Sequence, residues 1–202
     1  MIAIVNYGIG NLFSVAQALK KLGEEVVVTN DPSVIEQAEA IILPGVGSFG
    51  EAMKNLEENQ LIPAIVNGAN QKKPILGICL GLQILFSQSQ EATQQSGLSL
   101  IPGEVRKLPP TNKVPHIGWN QVSILEESPL GEGIASGEFF YFAHSYYVVP
   151  EKEENVVAIC NYNVVIPAMI KQGKIAGVQF HPEKSSTGGI QFLKNWQRWI
   201  RE

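Results

Sequence analysis

Apolar residues follow two different rhythms along this chain, and the change between them falls near its middle. In the first half, short apolar runs alternate with longer stretches whose apolar positions recur every three or four residues. Ile2-Ala3-Ile4-Val5 predicts a strand, Leu12 to Leu22 an amphipathic helix closed by Gly23, and Glu25 to Thr29 a second strand. Pro32 to Ala38 reads as helix and Ala40 to Leu43 as a third strand. Helical stretches follow from beyond Gly47 through Glu57 and from Pro63 to about Asn70. Pro74 to Ile78 is then a short buried strand, and Leu80 to Phe86 the helix after it. Strands alternating with helices imply a parallel sheet covered on both faces. The second half is dominated by strand patterns: Val105 to Leu108, Gln121 to Leu125, Phe139 to Phe142, Tyr146 to Val149, Val156 to Asn161, Val164 to Ile170 and Lys174 to Phe180. A helix from about Gly189 to Ile200 follows, and the polar run Gln88 to Ser99 reads as a surface loop. The fold class is therefore α/β: an open, mostly parallel sheet flanked by helices, with an additional β-rich part in the second half. No repeat and no long linker interrupts residues 1–202, which read as a single domain.

Composition removes several function classes. The net charge is −4 and no basic cluster exceeds two adjacent residues, so a nucleic-acid surface is not expected. The most apolar run, Ile75 to Phe86, is too short to cross a membrane. Met1 to Val5 lacks the basic start of an export signal, which points to a cytoplasmic protein. With Cys79 and Cys160 as the two cysteines, a disulfide framework is not expected, and Cys160 lies in an apolar strand pattern that reads as core. No Cys/His spacing suits a metal, and neither metal nor organic cofactor is expected.

Against that background one constellation carries chemistry. Gly77-Ile78-Cys79-Leu80-Gly81 sits where a strand turns sharply into a helix, with glycines at the positions a nucleophile elbow needs and Cys in place of Ser. A thiol there faces a helix N-terminus, whose free N–H groups favour the thiolate. In His181-Pro182-Glu183 the first and last side chains, two apart, point to the same side of an extended chain. Glu183 can thus orient His181, which can deprotonate Cys79. A lone buried Cys is ordinarily a small hydrophobe; the elbow and the His-x-Glu run together, in the order nucleophile, base, orienter, favour catalysis. Attack on a carbonyl also needs donors for the developing oxyanion. The N–H of Leu80 is one, and the turn Pro44-Gly45-Val46-Gly47 after the third strand offers another.

Three other segments are ambiguous on their residues alone. Asn6-Tyr7-Gly8-Ile9-Gly10-Asn11 suggests a dinucleotide fingerprint, but Phe13 stands where the third glycine belongs and its bulk would block close helix–strand packing. It reads as a tight turn or a partner contact at Asn11. His144-Ser145-Tyr146 lies at a strand junction, where a structural histidine is a serious alternative. Val114 to Asn120, with His116 and Trp119, reads as a loop that is either core or interface.

Gly77 to Gln83 together with His181-Pro182-Glu183 resembles the class I (triad) glutamine amidotransferases over essentially the whole chain. Pro44-Gly45-Val46-Gly47, Pro115-His116-Ile117-Gly118-Trp119-Asn120 and His181 to Ser185 are similar to the branch of that family formed by glutaminase subunits of imidazole glycerol phosphate synthases. The resemblance implies a triad of Cys79, His181 and Glu183, with oxyanion N–H groups from Leu80 and Val46. It implies L-glutamine as substrate, held with Gln83 beside Gly45, Gly47, His144, Ser145 and Tyr146. It further implies a heterodimer with a (β/α)8-barrel cyclase subunit that takes the ammonia, contacted through Asn11, Trp119, Asn120 and Lys184. Two alternatives stay open: a glutaminase serving another synthase (anthranilate, aminodeoxychorismate or pyridoxal phosphate), whose Pro-Gly-Gly turn this chain lacks, and a catalytically silent regulatory subunit.

Overall fold

The computed structural model describes residues 1–111, 113–125 and 127–202. Twelve strands occur among them: β1 (Ile2–Val5), β2 (Val26–Thr29), β3 (Ala40–Gly45), β4 (Ile75–Cys79), β5 (Phe86–Ser89), β6 (Ile101–Lys107), β7 (His116–Ile124), β8 (Glu138–His144), β9 (Tyr146–Pro150), β10 (Val156–Asn161), β11 (Val165–Gln172) and β12 (Ile175–Val178). The helices are α1 (Leu12–Lys21), α2 (Pro32–Gln37), α3 (Phe49–Glu58), α4 (Ile62–Asn70), α5 (Leu80–Ile84) and α6 (Ser186–Trp199).

Nine strands form one sheet in the order β2-β1-β3-β4-β12-β11-β10-β7-β8. Pairing is parallel from β2 through β12. It is antiparallel from β12 to β8. The β-rich second half thus largely extends the first half's sheet, while β5-β6-β9 make a separate three-stranded sheet. Alternation within strands explains how both faces are covered. Ile2 and Ile4 pack on one side with Val15 and Leu19 of α1 and Phe192 and Trp196 of α6. Ala3 and Val5 pack on the other with residues of α2, α3, α4 and α5. No described helix is long and apolar enough to cross a membrane.

Four sequence expectations change. The helix after Cys79 ends at Ile84, and Phe86 begins β5. The reason is competition for carbonyls: Leu98 N–H takes Ile84 O at 2.8 Å, and Leu100 and Ile101 N–H take Leu85 O at 2.9 and 3.0 Å. The returning chain claims the groups a longer helix would have used. Part of the Gln88 to Ser99 run is accordingly strand, since Gln88 and Ser89 pair with Glu104 and Val105. The His116 to Asn120 segment is also strand, paired residue by residue with β8 from His116↔His144 to Asn120↔Phe140. Phe13, expected to obstruct packing, points into solvent at 73% exposure.

Candidate active site

Cys79 ends β4 between the carboxyl ends of β3 and β12, the position where open α/β sheets place their sites. Its backbone is held at φ 55°, ψ −106°, outside ordinary strand or helix geometry. The flanking glycines make that turn sterically possible. A Cβ on Gly81 would lie 1.6 Å from Leu43 O, and one on Gly77 would lie 2.6 Å from Gly81 O. α5 can therefore press onto the sheet only without side chains at those positions. Since α5 has five residues, its contribution at Cys79 is one turn of free N–H groups, not a long helix dipole.

His181 and Glu183 approach from the segment after β12. His181 Nδ1 lies 3.0 Å from Glu183 Oε1, with both side chains almost fully buried. His181, with extended backbone, caps a short 3-10 turn, Pro182–Lys184, on which Glu183 lies. Two bonds pin it: His181 N–H donates to Tyr141 O at 2.9 Å, and Ser185 Oγ donates to His181 O at 2.6 Å. Burial disfavours the imidazolium, but hydrogen bonding to Cys79 and Glu183 outweighs it and pushes His181 up to about 10. The structure thus brings Cys79, His181 and Glu183 together. Cys160 is separate and buried in the core, and burial pushes its thiol up to about 12.

A cleft of about 210 Å³ opens over Cys79, walled by Val46, Gly47, Leu80, Gln83, His144, Ser145 and Tyr146. Gly45 lies below that wall, where a Cβ would come within 2.6 Å of Tyr7 Oη and 2.9 Å of Leu80 Cβ. A wider depression of about 640 Å³ around Ile124, Glu127 and Glu132 has no histidine in its lining. Trp119 is exposed on β7 opposite Tyr141. The Lys184 ammonium lies 5.6 Å over the Tyr141 ring. Asn120 donates to Asn161 O at 3.0 Å, and Asn11 caps α1 by accepting from Ser14 N–H at 3.4 Å.

Several contacts at the site had no signal of their own in the sequence. Glu91, inside the supposed loop, lines the cleft and accepts the Phe49 N–H at 2.8 Å. The buried Tyr7 hydroxyl donates to Pro44 O, bracing the glycine turn, and burial pushes its ionisation far above the ordinary range. His116 Nδ1 and His144 Nε2 lie 2.9 Å apart, while His144 Nδ1 lies 2.9 Å from Tyr146 O. Both ring nitrogens of His144 are thus occupied within the protein. Burial lowers His116 to about 4 and His144 to about 3, leaving both neutral at physiological pH.

A family model described as "Glutamine amidotransferase class-I" matches residues 3–198. Among solved structures, "Crystal structure of glutamine amidotransferase" superposes with a TM-score of 0.76 at 20% identity, covering 100% of this chain and 99% of that one. "Structure of PurLQS from Thermotoga maritima" gives 0.75 at 22%, covering 98% of each. At those identities the likeness establishes the fold, and the family match establishes the class: this chain belongs to the class-I glutamine amidotransferases. Relatives within the class are much more similar. Proteins named "Imidazole glycerol phosphate synthase subunit HisH" are 52% identical in Moorella thermoacetica, over 99% of this chain and 95% of the relative. The protein of that name in Methanothermobacter thermautotrophicus is 51% identical over 100% of both chains.

Proposed function

We infer that this chain is the glutaminase subunit of an imidazole glycerol phosphate synthase, releasing ammonia from L-glutamine for histidine biosynthesis. The observation that carries the chemistry is the buried group of Cys79, His181 and Glu183 under a small cleft, with His181 Nδ1 3.0 Å from Glu183 Oε1. Full-length identity of 52% to a HisH subunit supports the particular synthase. Residues 1–202 act as one glutaminase domain in this reading.

The Cys79 thiolate attacks the side-chain amide carbon of glutamine, and the carbonyl oxygen becomes an oxyanion held by the N–H groups of Leu80 and Val46. His181 gives its proton to the amide nitrogen, the C–N bond breaks, and ammonia leaves a glutamyl thioester. His181 then takes a proton from water, which attacks the thioester; glutamate departs and the thiolate is restored. Glu183 holds the imidazole ring and stabilises its charged form throughout. Gln83, Gly47 and the Ser145–Tyr146 corner shape the cleft around the amide.

Glutamine also brings an ammonium group, which needs an anionic partner when taken out of water. Glu91 is the carboxylate on the cleft wall. Glu91→Gln is expected to raise KM for glutamine by about ten- to a hundredfold, the worth of a hydrogen bond to a charged group, with kcat changed far less. Steady-state glutamate release checks this; an unchanged KM removes Glu91 from substrate binding.

The ammonia passes to a cyclase subunit with a (β/α)8 barrel in a one-to-one complex. Ammonia free in water would be protonated and lose its nucleophilic lone pair, so direct transfer has a chemical reason. The strip supporting this docking site runs along one face of β7 and β8, where Ile117, Trp119 and Phe139 are exposed beside Tyr141 and Lys184. Ile117 also lines the cleft, so the strip is continuous with its mouth. The test compares glutamate release by the isolated chain, by the complex, and by the complex with an acceptor analogue. The isolated chain is expected to be nearly silent and the loaded complex fast. In Trp119→Ala that stimulation falls, although the triad is intact. Full activity in the isolated chain, indifferent to partner and analogue, contradicts partner control.

A further inference from the structure

One backbone carbonyl dictates the orientation of four side chains around the nucleophile. Tyr146 O can only accept, and it accepts from Gln83 Nε2 at 2.8 Å and from His144 Nδ1 at 2.9 Å. The Gln83 amide is thereby oriented, and its nitrogen also donates to Gln179 Oε1 at 3.2 Å. With its oxygen committed to Gln83, the fully buried Gln179 must turn its NH2 group the other way. There its Nε2 lies 3.7 Å from Cys79 Sγ, within reach of a sulfur acceptor. On the other branch, His144 Nε2 must accept, so His116 Nδ1 donates to it and His116 Nε2 accepts from Asn120 Nδ2 at 3.3 Å. Stacking of the His116 ring on Tyr162 and Phe142, with centroids 4.0 and 4.9 Å apart, holds it in place.

We propose that Gln179 is a positioning residue for the nucleophile: its side-chain amide, locked by Gln83 and the Tyr146 carbonyl, donates a hydrogen bond to the Cys79 sulfur. The proposal rests on Cys79 being the nucleophile, and it gives the sulfur a donor that never has to leave. His181 serves the sulfur, the departing ammonia and the water in turn, so it cannot face the sulfur at every step. When the thioester breaks, the sulfur leaves as an anion in a nearly closed site, where an unpartnered charge is costly. The neighbouring Ala143 carbonyl, 3.7 Å from the sulfur, accepts from the neutral thiol but repels the thiolate. Gln179 opposes that repulsion, and its amide does not ionise in the working pH range. It does not line the cleft, so its contribution belongs to the chemical steps and not to holding glutamine.

The experiment uses the assembled synthase and measures kcat and KM for glutamine separately in wild type, Gln179→Leu and Cys79→Ala. The rate of iodoacetamide modification at Cys79 is followed across neutral to alkaline pH, with modified peptides located by mass. The titratable groups facing the sulfur are His181, from the segment after β12, and Tyr7, from the turn after β1. Neither is altered by the substitution. Gln179→Leu is expected to lower kcat by about ten- to a hundredfold with KM within about twofold, on the scale of a hydrogen bond to a charged group. Its alkylation profile should move to higher pH, a change that a merely structural glutamine would not produce. A second measurement needs no substitution at Gln179: its side-chain amide proton resonances should differ between wild type and Cys79→Ala. A folded Gln179→Leu with wild-type kcat and alkylation profile overturns the proposal, as do amide resonances indifferent to Cys79→Ala. In those cases an inactive Cys79→Ala leaves the nucleophile assignment standing, whereas an active Cys79→Ala brings down both.

Discussion

Replacing Cys79 with alanine is expected to reduce glutamine-dependent glutamate release roughly a million-fold, the scale on which loss of a triad nucleophile is felt. The chain's other thiol cannot take over the attack. The second thiol, Cys160, is buried in the core and pushed up to about 12, which keeps it protonated and unreactive. The same complex should retain synthase activity with added ammonium salt, because ring closure belongs to the partner. Measuring both reactions on one preparation separates a lost nucleophile from a lost complex. Cys160→Ala should be close to neutral for catalysis. Loss of the glutaminase in Cys160→Ala with retention in Cys79→Ala would reverse the assignment.

The second large effect separates a base from its orienter. His181→Ala removes the group proposed to move the protons and should nearly silence the glutaminase. Glu183→Gln keeps the shape but removes the charge 3.0 Å from His181 Nδ1. Its kcat should fall by roughly ten-thousand-fold, by analogy with the loss of a carboxylate orienter in a triad. The hydrogen bonds that raise His181 to about 10 include the one it donates to Glu183, so the imidazolium should also become easier to deprotonate in the variant. Titrating the His181 ring by NMR in an otherwise unlabelled chain tests this directly. Small and equal losses of activity in the two variants would mean that the pair only supports the fold.

Much of this was legible in the chain because its signals are local. The apolar run Ile2 to Val5 and the glycine-flanked turn at Cys79 are spelled by neighbouring residues, and the structure has strand and turn there. The same holds for the His181 to Glu183 run, whose members meet even though the backbone between them is a 3-10 turn. What escaped depends on residues far apart in sequence. Phe86 looked helical because its own neighbours favour a helix; Leu98 and Leu100 decide otherwise by taking the Ile84 and Leu85 carbonyls. Glu91 sits in a polar run with no periodicity, and only the fold shows that it faces the cleft. His116 gave no sign that its partner is His144, since cross-strand register joins them. Gln179 is adjacent to a recognisable motif, but its partners Gln83 and Cys79 lie about a hundred residues upstream.

The order of strands in the large sheet bears on when the enzyme can first act. β4, which ends at Cys79, pairs directly with β12, which leads into His181, although the two are separated by most of the second half of the chain. A chain synthesised only through Gln172 contains Cys79 but lacks β12 and the His181 that follows it. The pairing that completes the sheet is also the pairing that completes the site. Such long-range contacts form late compared with local helices. If Cys79 and His181 act as proposed, chemical competence therefore waits for the closing of the sheet.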